Sequence, residues 1–319
     1  MTTTGHDVST PQSLSSQIRL DVGARSHTGH VRENNEDHFL VTRISRAMET
    51  ITTSLPAGEV PDLAEEVNYL MIVADGMGGH AAGEVASRMA ISALISLALD
   101  LPDWILKVDA DHAQQIEERS RKIVQEVGKM VSARGRRQPG LRGMGTTLTG
   151  ARSLGRDLLI THVGDSRAYL LRAGRLHHLT RDHTYVQLLV DVGELTPEDA
   201  AKSRHRHILT NALGGTSEDV QVDTDRLRIE DADRLLLCSD GLTDLVDDAT
   251  ITSVLMETTD SNEACERLVQ RALDAGGKDN VTVIVAAYRL PEEAARPREQ
   301  ATDDTDTQAP SAGDSNRRQ

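Results

Sequence analysis

The sequence predicts an α+β fold in which two mainly antiparallel sheets pack face to face and helices cover both outer faces, a four-layer α-β-β-α sandwich. Many short apolar strands meet in hairpins, and paired amphipathic helical stretches are inserted between them. The helices are too few and too unevenly spaced for a regular alternation of strand and helix. With 319 residues the chain is long enough to bury one large core.

The first half of the chain predicts strands joined to two long helices. Apolar residues recur every four positions from Val85 to Leu97, which predicts a helix with one buried face. The segment 45–66 contains prolines and several acids and predicts an exposed excursion within a hairpin. The basic segment 134–140 predicts a loop. The strands are expected at 39–44, 69–74 and within 143–150, and the helices at 83–99 and 112–133.

The second half predicts further hairpins and one insertion. Residues 180–215 offer few core residues and contain a helix start at Thr196–Asp199, so we expect a small helical insertion over the edge of a sheet. The other strands are expected at 158–163, 168–171, around 176, 222–229, 234–238 and 281–287, and the helices at 249–257 and 262–275.

The composition limits the classes of protein to which the chain can belong. Lys and Arg total 35 against 50 Asp and Glu, and the net charge of -15 argues against a nucleic-acid surface. The two cysteines, Cys238 and Cys265, lack zinc-site spacing and are typical of a reducing cytoplasm. No apolar run reaches the roughly 18 residues that span a bilayer. We therefore expect a cytoplasmic protein without a membrane span, with one domain at 18–290 between disordered tails at 1–17 and 291–319.

Several apolar runs are bounded by an aspartate beside a small residue or an amide. Three of these aspartates follow a predicted strand and a fourth precedes one, and such ends meet at one edge of an antiparallel sheet. A lone Asp-Gly is usually a turn, but the recurrence of the arrangement favours a shared site. The acids that can converge there are Asp75, Asp165, Asp240, Asp279, Glu36 and Asp37.

Carboxylates gathered in this way repel one another, and a hard divalent cation would relieve the repulsion. Oxygen ligands select Mg²⁺ or Mn²⁺ over zinc or copper, and carbonyls such as that of Gly76 can complete an octahedral shell. Two such ions can activate one water for attack on a phosphorus or acyl centre. Arg32, four residues before Glu36, is the natural anion contact, because its planar fork binds phosphate oxygens in pairs. For an isolated arginine the default alternative is a surface salt bridge.

Six sequence blocks occur in order between about residues 20 and 288. They are Arg32-Glu-Asn-Asn-Glu36-Asp37, Ala74-Asp75-Gly-Met-Gly-Gly-His-Ala-Ala-Gly-Glu84, Gly143-Met-Gly-Thr-Thr147, Gly164-Asp165-Ser-Arg167, Cys238-Ser-Asp240-Gly and Asp279-Asn280. Together the blocks resemble the metal-dependent type 2C serine/threonine protein phosphatases in their bacterial form. The resemblance implies the α-β-β-α sandwich, and it matches the insertion at 180–215 to the family's flap, which borders the active site.

The resemblance also implies a role for each candidate residue. Asp75 would bridge two Mn²⁺ or Mg²⁺ ions, and Arg32 would clamp the phosphoryl group. Asp165 and Asp244 would hold a third, weaker ion. Glu36 and Asp37 would hold metal-bound waters or a metal directly. The remaining implied ligands are the Gly76 carbonyl and the carboxylates of Asp240 and Asp279.

The function implied by the resemblance is removal of phosphate from phosphoserine and phosphothreonine by attack of a metal-activated water. The partners would be phosphorylated proteins, including a serine/threonine kinase. Two alternatives stay open: a regulatory or scaffold protein that keeps the fold without catalysis, and a phosphatase of small phosphorylated metabolites. Met77 stands where some relatives carry a histidine proposed as the general acid, so no residue is assigned to that role.

Overall fold

The computed structural model describes residues 18–56, 58–78, 81–99, 110–215 and 219–291. The tail predicted at 1–17 lies outside these residues, as does the tail predicted at 291–319 except for its first residue. All strand pairs within the described sheets are antiparallel.

The strands form two five-stranded sheets and one small three-stranded sheet. In chain order they are β1 (Arg19–His27), β2 (His38–Glu49), β3 (Leu63–Ala74), β4 (Gly76–Met77), β5 (Gly145–Thr146), β6 (Leu148–Leu154), β7 (Asp157–Val163), β8 (Arg167–Arg172), β9 (Arg175–His178), β10 (Leu213–Gly214), β11 (Asp223–Arg228), β12 (Arg234–Cys238) and β13 (Val281–Arg289). One large sheet has the order β11-β7-β6-β3-β2, the other β1-β13-β12-β8-β9, and the small sheet β10-β5-β4.

The described residues include seven α-helices. They are α1 (Ala81–Leu99), α2 (Ala110–Arg137), α3 (Tyr185–Asp191), α4 (Pro197–Lys202), α5 (Asp240–Thr243), α6 (Asp248–Glu257) and α7 (Ser261–Asp274). Helices α3 and α4 form the predicted insertion, and the Thr196 hydroxyl caps α4 by accepting a hydrogen bond from the Asp199 amide at 3.1 Å.

Alternation along the strands divides the apolar residues into three packed layers. In β3, Met71 and Val73 belong to the layer between the two large sheets, whereas Ile72 packs with α1 and α2. In β12, Leu237 belongs to the middle layer and Leu236 packs with α6 and α7. This division follows from the opposite orientation of successive side chains in a strand. The predicted four-layer α-β-β-α sandwich is therefore confirmed.

Two predicted boundaries are wrong, both at polar stretches. Strands β2 and β3 pair as far as Glu49 and Leu63, so the loop between them covers 50–62 instead of 45–66. Strand β2 lies at the edge of its sheet, where charged side chains are tolerated, and its polar end therefore resembled a loop. The segment Arg134–Arg137 is the last turn of α2 and not a loop. Cations are favourable at that end of a helix because of its dipole.

Helix α1 is long and apolar enough, by length and composition, to cross a membrane over Ala82–Leu99. The sequence analysis did not identify this helix as a candidate membrane span, because Glu84 and Arg88 interrupt its run of apolar residues. Its buried residues Ala86 and Ala90 pack in the layer between α1, α2 and the sheet. The core helix of a sandwich passes the same test of length and composition.

Neighbouring residues of α6 allow a matched test of the outer layer. Leu255 is 1% exposed and packs in the apolar layer beneath α6, whereas the next residue, Met256, is 61% exposed. We expect Leu255→Ala to lower the free energy of unfolding by about 2–5 kcal/mol, because it leaves a cavity. Met256→Ala should change it by less than about 0.5 kcal/mol. Denaturant unfolding measures both values, and equal losses would contradict the proposed packing.

Candidate metal centre

An acidic cleft of about 700 Å³ opens at the edge where the strands of both large sheets end. All but one of the predicted site residues line it. Asp37 lies behind the wall of the cleft and is 4% exposed. The predicted residues that line the cleft are Arg32, Glu36, Asp75, Gly76, Asp165, Asp240, Asp244 and Asp279.

Two threonines hold the turn that presents Asp75 at the end of β3. The Asp75 amide donates to the Thr147 hydroxyl at 2.9 Å, and the Thr147 amide donates back to the Asp75 carbonyl at 2.9 Å. The Thr146 hydroxyl also donates to that carbonyl, at 2.8 Å. The Thr147 hydroxyl lies 2.8 Å from the hydroxyl of Ser166, the neighbour of Asp165. Hydrogen bonds to its backbone thus fix Asp75 and leave its carboxylate available, and the contact between Thr147 and Ser166 links this turn to the one that carries Asp165.

Glycine is required at position 76, where three segments meet. A Cβ atom there would overlap the backbone of Gly83 and would lie 2.7 Å from the carbonyl oxygen of Glu36. The absence of a side chain therefore lets the Glu36 segment and α1 approach the turn that follows Asp75. This close approach brings Glu36 and Asp75 to the same cleft.

Asn280 and Ser239 hold the acids of the N-terminal segment, and the sequence analysis gave them no role. The Asn280 side chain accepts from the Glu36 amide at 2.8 Å and donates to the carbonyls of Thr28 and Asn34, both at 2.9 Å. The Ser239 hydroxyl donates to Oδ2 of Asp37 at 2.7 Å. Both residues stand beside predicted ligands, which is the signal that could have identified them.

The buried carboxylates destabilise one another in their charged forms. Burial raises the pKa of Asp75 well above its usual range, and the charges of Asp37 and Asp240 raise it further. Burial raises the pKa of Asp37 to about 7, with added repulsion from Asp240 and Asp279. Burial and the charge of Asp240 likewise raise the pKa of Asp165. Positive charge placed among these groups would lower the free energy of the ionised site.

The donor set fits a hard divalent cation. The Oδ1 atoms of Asp37 and Asp240 are buried and have no hydrogen-bond partner among the described residues. A buried carboxylate oxygen without a hydrogen-bond partner is costly unless a cation binds it. The carboxylates and the Gly76 carbonyl offer oxygen ligands, which Mg²⁺ and Mn²⁺ prefer, and His207 adds ring nitrogens beside Asp240 and Asp244.

Three cationic side chains also reach the acids of the cleft. Arg32 Nη2 lies 2.6 Å from Oδ2 of Asp279, so the arginine predicted to hold phosphate forms an ion pair. Arg206 and His207 each lie 3.4 Å from Oδ2 of Asp244. His207 also lies 3.6 Å from Oδ2 of Asp240, and its contacts with the carboxylates of Asp240 and Asp244 raise its pKa. Arg206 and His207 both lie in the insertion predicted at 180–215, and the sequence analysis gave neither of them a role at the site.

The insertion that carries Arg206 and His207, here called the flap (residues 180–215), is anchored beside Asp165. Arg167 donates to both carboxylate oxygens of Asp182, at 2.6 Å and 2.9 Å.

Met77 lines the cleft at the position where some relatives carry a histidine, and His80 lies outside the described residues. No residue is therefore assigned as the general acid.

Comparison with known proteins gives consistent matches. A family model described as Protein phosphatase 2C matches residues 62–275. The chain is 41% identical over 269 residues to the serine/threonine protein phosphatase PstP of Mycobacterium tuberculosis, covering 84% of this chain and 45% of that protein. It therefore spans less than half of that relative. It is 32% identical over 271 residues to the protein phosphatase PhpP of Streptococcus pneumoniae, covering 84% of this chain and 97% of that protein.

Solved structures resemble the chain over most of its length. The Mycobacterium tuberculosis serine/threonine phosphatase PstP matches with a TM-score of 0.68 at 38% identity, covering 85% of this chain and 99% of that one. The catalytic domain of PstP in complex with two manganese ions matches with a TM-score of 0.66 at 38% identity, with the same coverage.

The raised pKa of Asp37 predicts how the metal-free protein responds to pH. Its value of about 7 in the fold compares with an ordinary 3.8, so over this window the folded state holds a proton that the unfolded state releases. The free energy of unfolding should therefore fall as the pH rises from about 4 to about 7, by up to about 1.4 kcal/mol per pH unit for each such group. Denaturant unfolding in chelator measures this decline.

Two controls separate the site from the rest of the chain. Asp37→Asn should make the decline shallower, because it removes one of the groups that bind protons on folding. Saturating Mn²⁺ should also flatten it, since the cation stabilises the ionised carboxylates. A metal-free protein whose stability is constant or rises over this window would contradict the electrostatic account.

Proposed function

The chain belongs to the protein phosphatase 2C family, and from that premise we propose that it is a metal-dependent protein serine/threonine phosphatase. The proposed reaction is hydrolysis of phosphoserine and phosphothreonine in proteins by attack of water, without a phosphoenzyme. The observation that carries the proposal is the group of mutually repelling carboxylates at one edge of the sandwich, with Asp75 at its centre. The relatives named as serine/threonine phosphatases support the choice of substrate.

The family is metal-dependent, and we propose that different residues of the cleft bind different metal ions. We propose Asp75 as the bridging ligand of a two-ion centre of Mn²⁺ or Mg²⁺; the PstP catalytic domain is known with two manganese ions. A third, weaker ion is proposed between Asp165 and Asp244. When bound, such ions lower the pKa of a water molecule and stabilise negative charge on phosphoryl oxygens. The other proposed ligands are Glu36, Asp37, Asp240, Asp279 and the Gly76 carbonyl.

Arg32 is proposed to orient the phosphoryl group. A guanidinium has five N–H donors, so the group that bonds Asp279 can present its other donors to phosphate oxygens. The ion pair thus fixes the direction of the side chain while leaving binding capacity. Elsewhere in the lining of the cleft, Arg206 adds positive charge beside Asp244, as does His207 when it is protonated, and this charge favours approach of an anionic substrate to an acidic cleft.

Partners and location are proposed on more general grounds. Protein phosphatases act on phosphoproteins, and we propose that a serine/threonine kinase is among the substrates. Location in the cytoplasm is supported by Cys238 and Cys265, which are both buried and free.

Replacing single carboxylates of the cleft tests the metal-dependent mechanism. Asp75→Asn and Asp240→Asn should each lower Mn²⁺-dependent turnover of a phosphothreonine peptide by about a thousandfold or more, equivalent to about 4 kcal/mol. Asp274→Asn is the matched control, because Asp274 is an exposed carboxylate of α7 that bonds Gln270 and does not line the cleft. It should retain full activity.

Two further measurements separate the alternatives. Calorimetric titration of the unmodified chain with Mn²⁺ distinguishes a catalytic protein from a scaffold of the same fold, for which two-site binding is not expected. Turnover of a sugar phosphate beside the phosphopeptide distinguishes the two substrate classes. Full activity of Asp75→Asn, or preference for the sugar phosphate, would contradict the proposal.

Arg32 provides a separate prediction about substrate binding. Arg32→Ala should raise KM for a phosphopeptide roughly tenfold, equivalent to about 1.4 kcal/mol, because charge-assisted hydrogen bonds to phosphate are lost. The KM of Arg32→Lys should lie between that of Arg32→Ala and that of the unmodified chain, since lysine keeps the charge but lacks the planar fork. The pair with Asp279 is exposed, so thermal stability should change little in either variant. An unchanged KM in Arg32→Ala would exclude the assigned role.

A further inference from the structure

A second cavity, of about 250 Å³, lies between the outer face of β2, β3 and β6 and the helices α1 and α2. We call it the helix–sheet cavity. Its wall includes the apolar side chains Leu70, Ile72, Leu94, Ile95 and Ile123. None of the described residues lines both this cavity and the acidic cleft. The cavity is therefore a separate feature that the phosphatase mechanism does not use.

Three arginines from three different elements line the helix–sheet cavity. They are Arg46 of β2, Arg119 of α2 and Arg152 of β6. Burial lowers the pKa of Arg152. The negative charge of Glu66 raises this pKa, and the positive charges of Arg46 and Arg119 lower it further. Glu66 lies directly opposite Arg46 across the β2–β3 pair. Among the described residues that line the cavity, these three arginines are the charged ones, although the whole chain has a net charge of -15.

Two buried polar atoms at this cavity have no hydrogen-bond partner among the described residues. One is the Nε donor of Arg152, and the other is the Oδ1 acceptor of Asn68, a residue that is 2% exposed. Arg152 pairs with Leu70 across β3 and β6, so Asn68 is its diagonal neighbour on the same face of the sheet. The head of the cavity thus offers one unused donor and one unused acceptor, carried on neighbouring strands and on the same face of the sheet. Buried polar atoms without partners are rare enough to require an explanation.

We propose that the helix–sheet cavity binds one aliphatic carboxylate of about eight carbons that carries a hydroxyl group near its head, the class of 3-hydroxyoctanoate. The volume corresponds to about eight groups the size of a water molecule, at about 30 Å³ each. The alkyl chain lies among the side chains of α1, α2 and β3. The carboxylate accepts from Arg152, and the hydroxyl donates to Asn68.

Charge complementarity selects this class over other small apolar ligands. A neutral alkane derivative would fill the apolar part of the cavity but leave the arginine donor unpaired, and an alkylammonium would add a fourth cation. A simple carboxylate satisfies Arg152 but not the Asn68 oxygen. The hydroxy acid satisfies both atoms, and a site that hydrogen-bonds a hydroxyl discriminates against the analogue that lacks it.

The test is calorimetric titration of the full chain with 3-hydroxyoctanoate, with octanoate and octylammonium as comparison ligands. We expect saturable binding of one 3-hydroxyoctanoate with a Kd below about 1 mM, weaker binding of octanoate, and none of octylammonium. Arg152→Gln should weaken binding of the hydroxy acid by about tenfold or more. Arg121→Gln is the matched control, because Arg121 bonds Glu118 and Thr224 and does not line the cavity. It should bind as the unmodified chain does.

A second variant keeps the proposal testable if Arg152→Gln does not fold. Ile95→Phe adds volume within the cavity without changing charge and should abolish binding, while thermal melting and phosphopeptide turnover verify that the chain is folded. Absence of saturable binding to the unmodified chain overturns the proposal, including the outcome in which residues 100–109, outside the described residues, fill the cavity. Equal binding of octylammonium, or unchanged binding by Ile95→Phe, also overturns it.

Discussion

Repulsion among carboxylates buried at one edge of the sandwich sets the conditions for the rest of this structure. Asp37, Asp75 and Asp165 each have a raised pKa; burial is the largest cause, and the charge of Asp240 raises the pKa further in all three. A group of this kind disperses unless the backbone holds it, because free loops would separate like charges. The strand ends supply this rigidity, since two large sheets fix the starting points of the turns. The sandwich is therefore the support that makes the acidic cleft possible.

Neutral side chains, more than cations, hold the acids in position. Thr147 bonds the backbone of Asp75, Asn280 bonds the backbone of Glu36, and Ser239 bonds one oxygen of Asp37. A lysine or arginine in these places would neutralise the carboxylates and occupy the oxygens that a metal needs. Hydroxyl and amide groups can orient an acid without competing for its charge. The sequence blocks that contain these residues thus combine acids of the cleft with the groups that position them.

The sequence allowed the layers of the fold and the convergence of the acids to be predicted, because both depend on local pattern. Alternating apolar strands located Asp75, Asp240 and Asp279 at strand ends, and antiparallel pairing then brought them to one edge. The positions of Arg206 and His207 could not be predicted, since they depend on how the flap lies across the cleft. Polar strand and helix ends at 45–49 and 134–137 were misassigned, because an edge strand and a terminal helical turn tolerate the same residues as loops.

The small sheet β10-β5-β4 has a mechanical consequence for the flap. Strand β4 follows Asp75 directly, and it pairs with β5, which in turn pairs with β10 near the end of the flap. The downstream end of the flap and the turn that carries Asp75 are therefore joined through one small sheet. Strand pairing thus holds the downstream end of the flap against the turn of Asp75, whereas α3 and α4 lie outside this sheet. A change confined to α3 or α4 therefore leaves the strand pairing beside Asp75 intact.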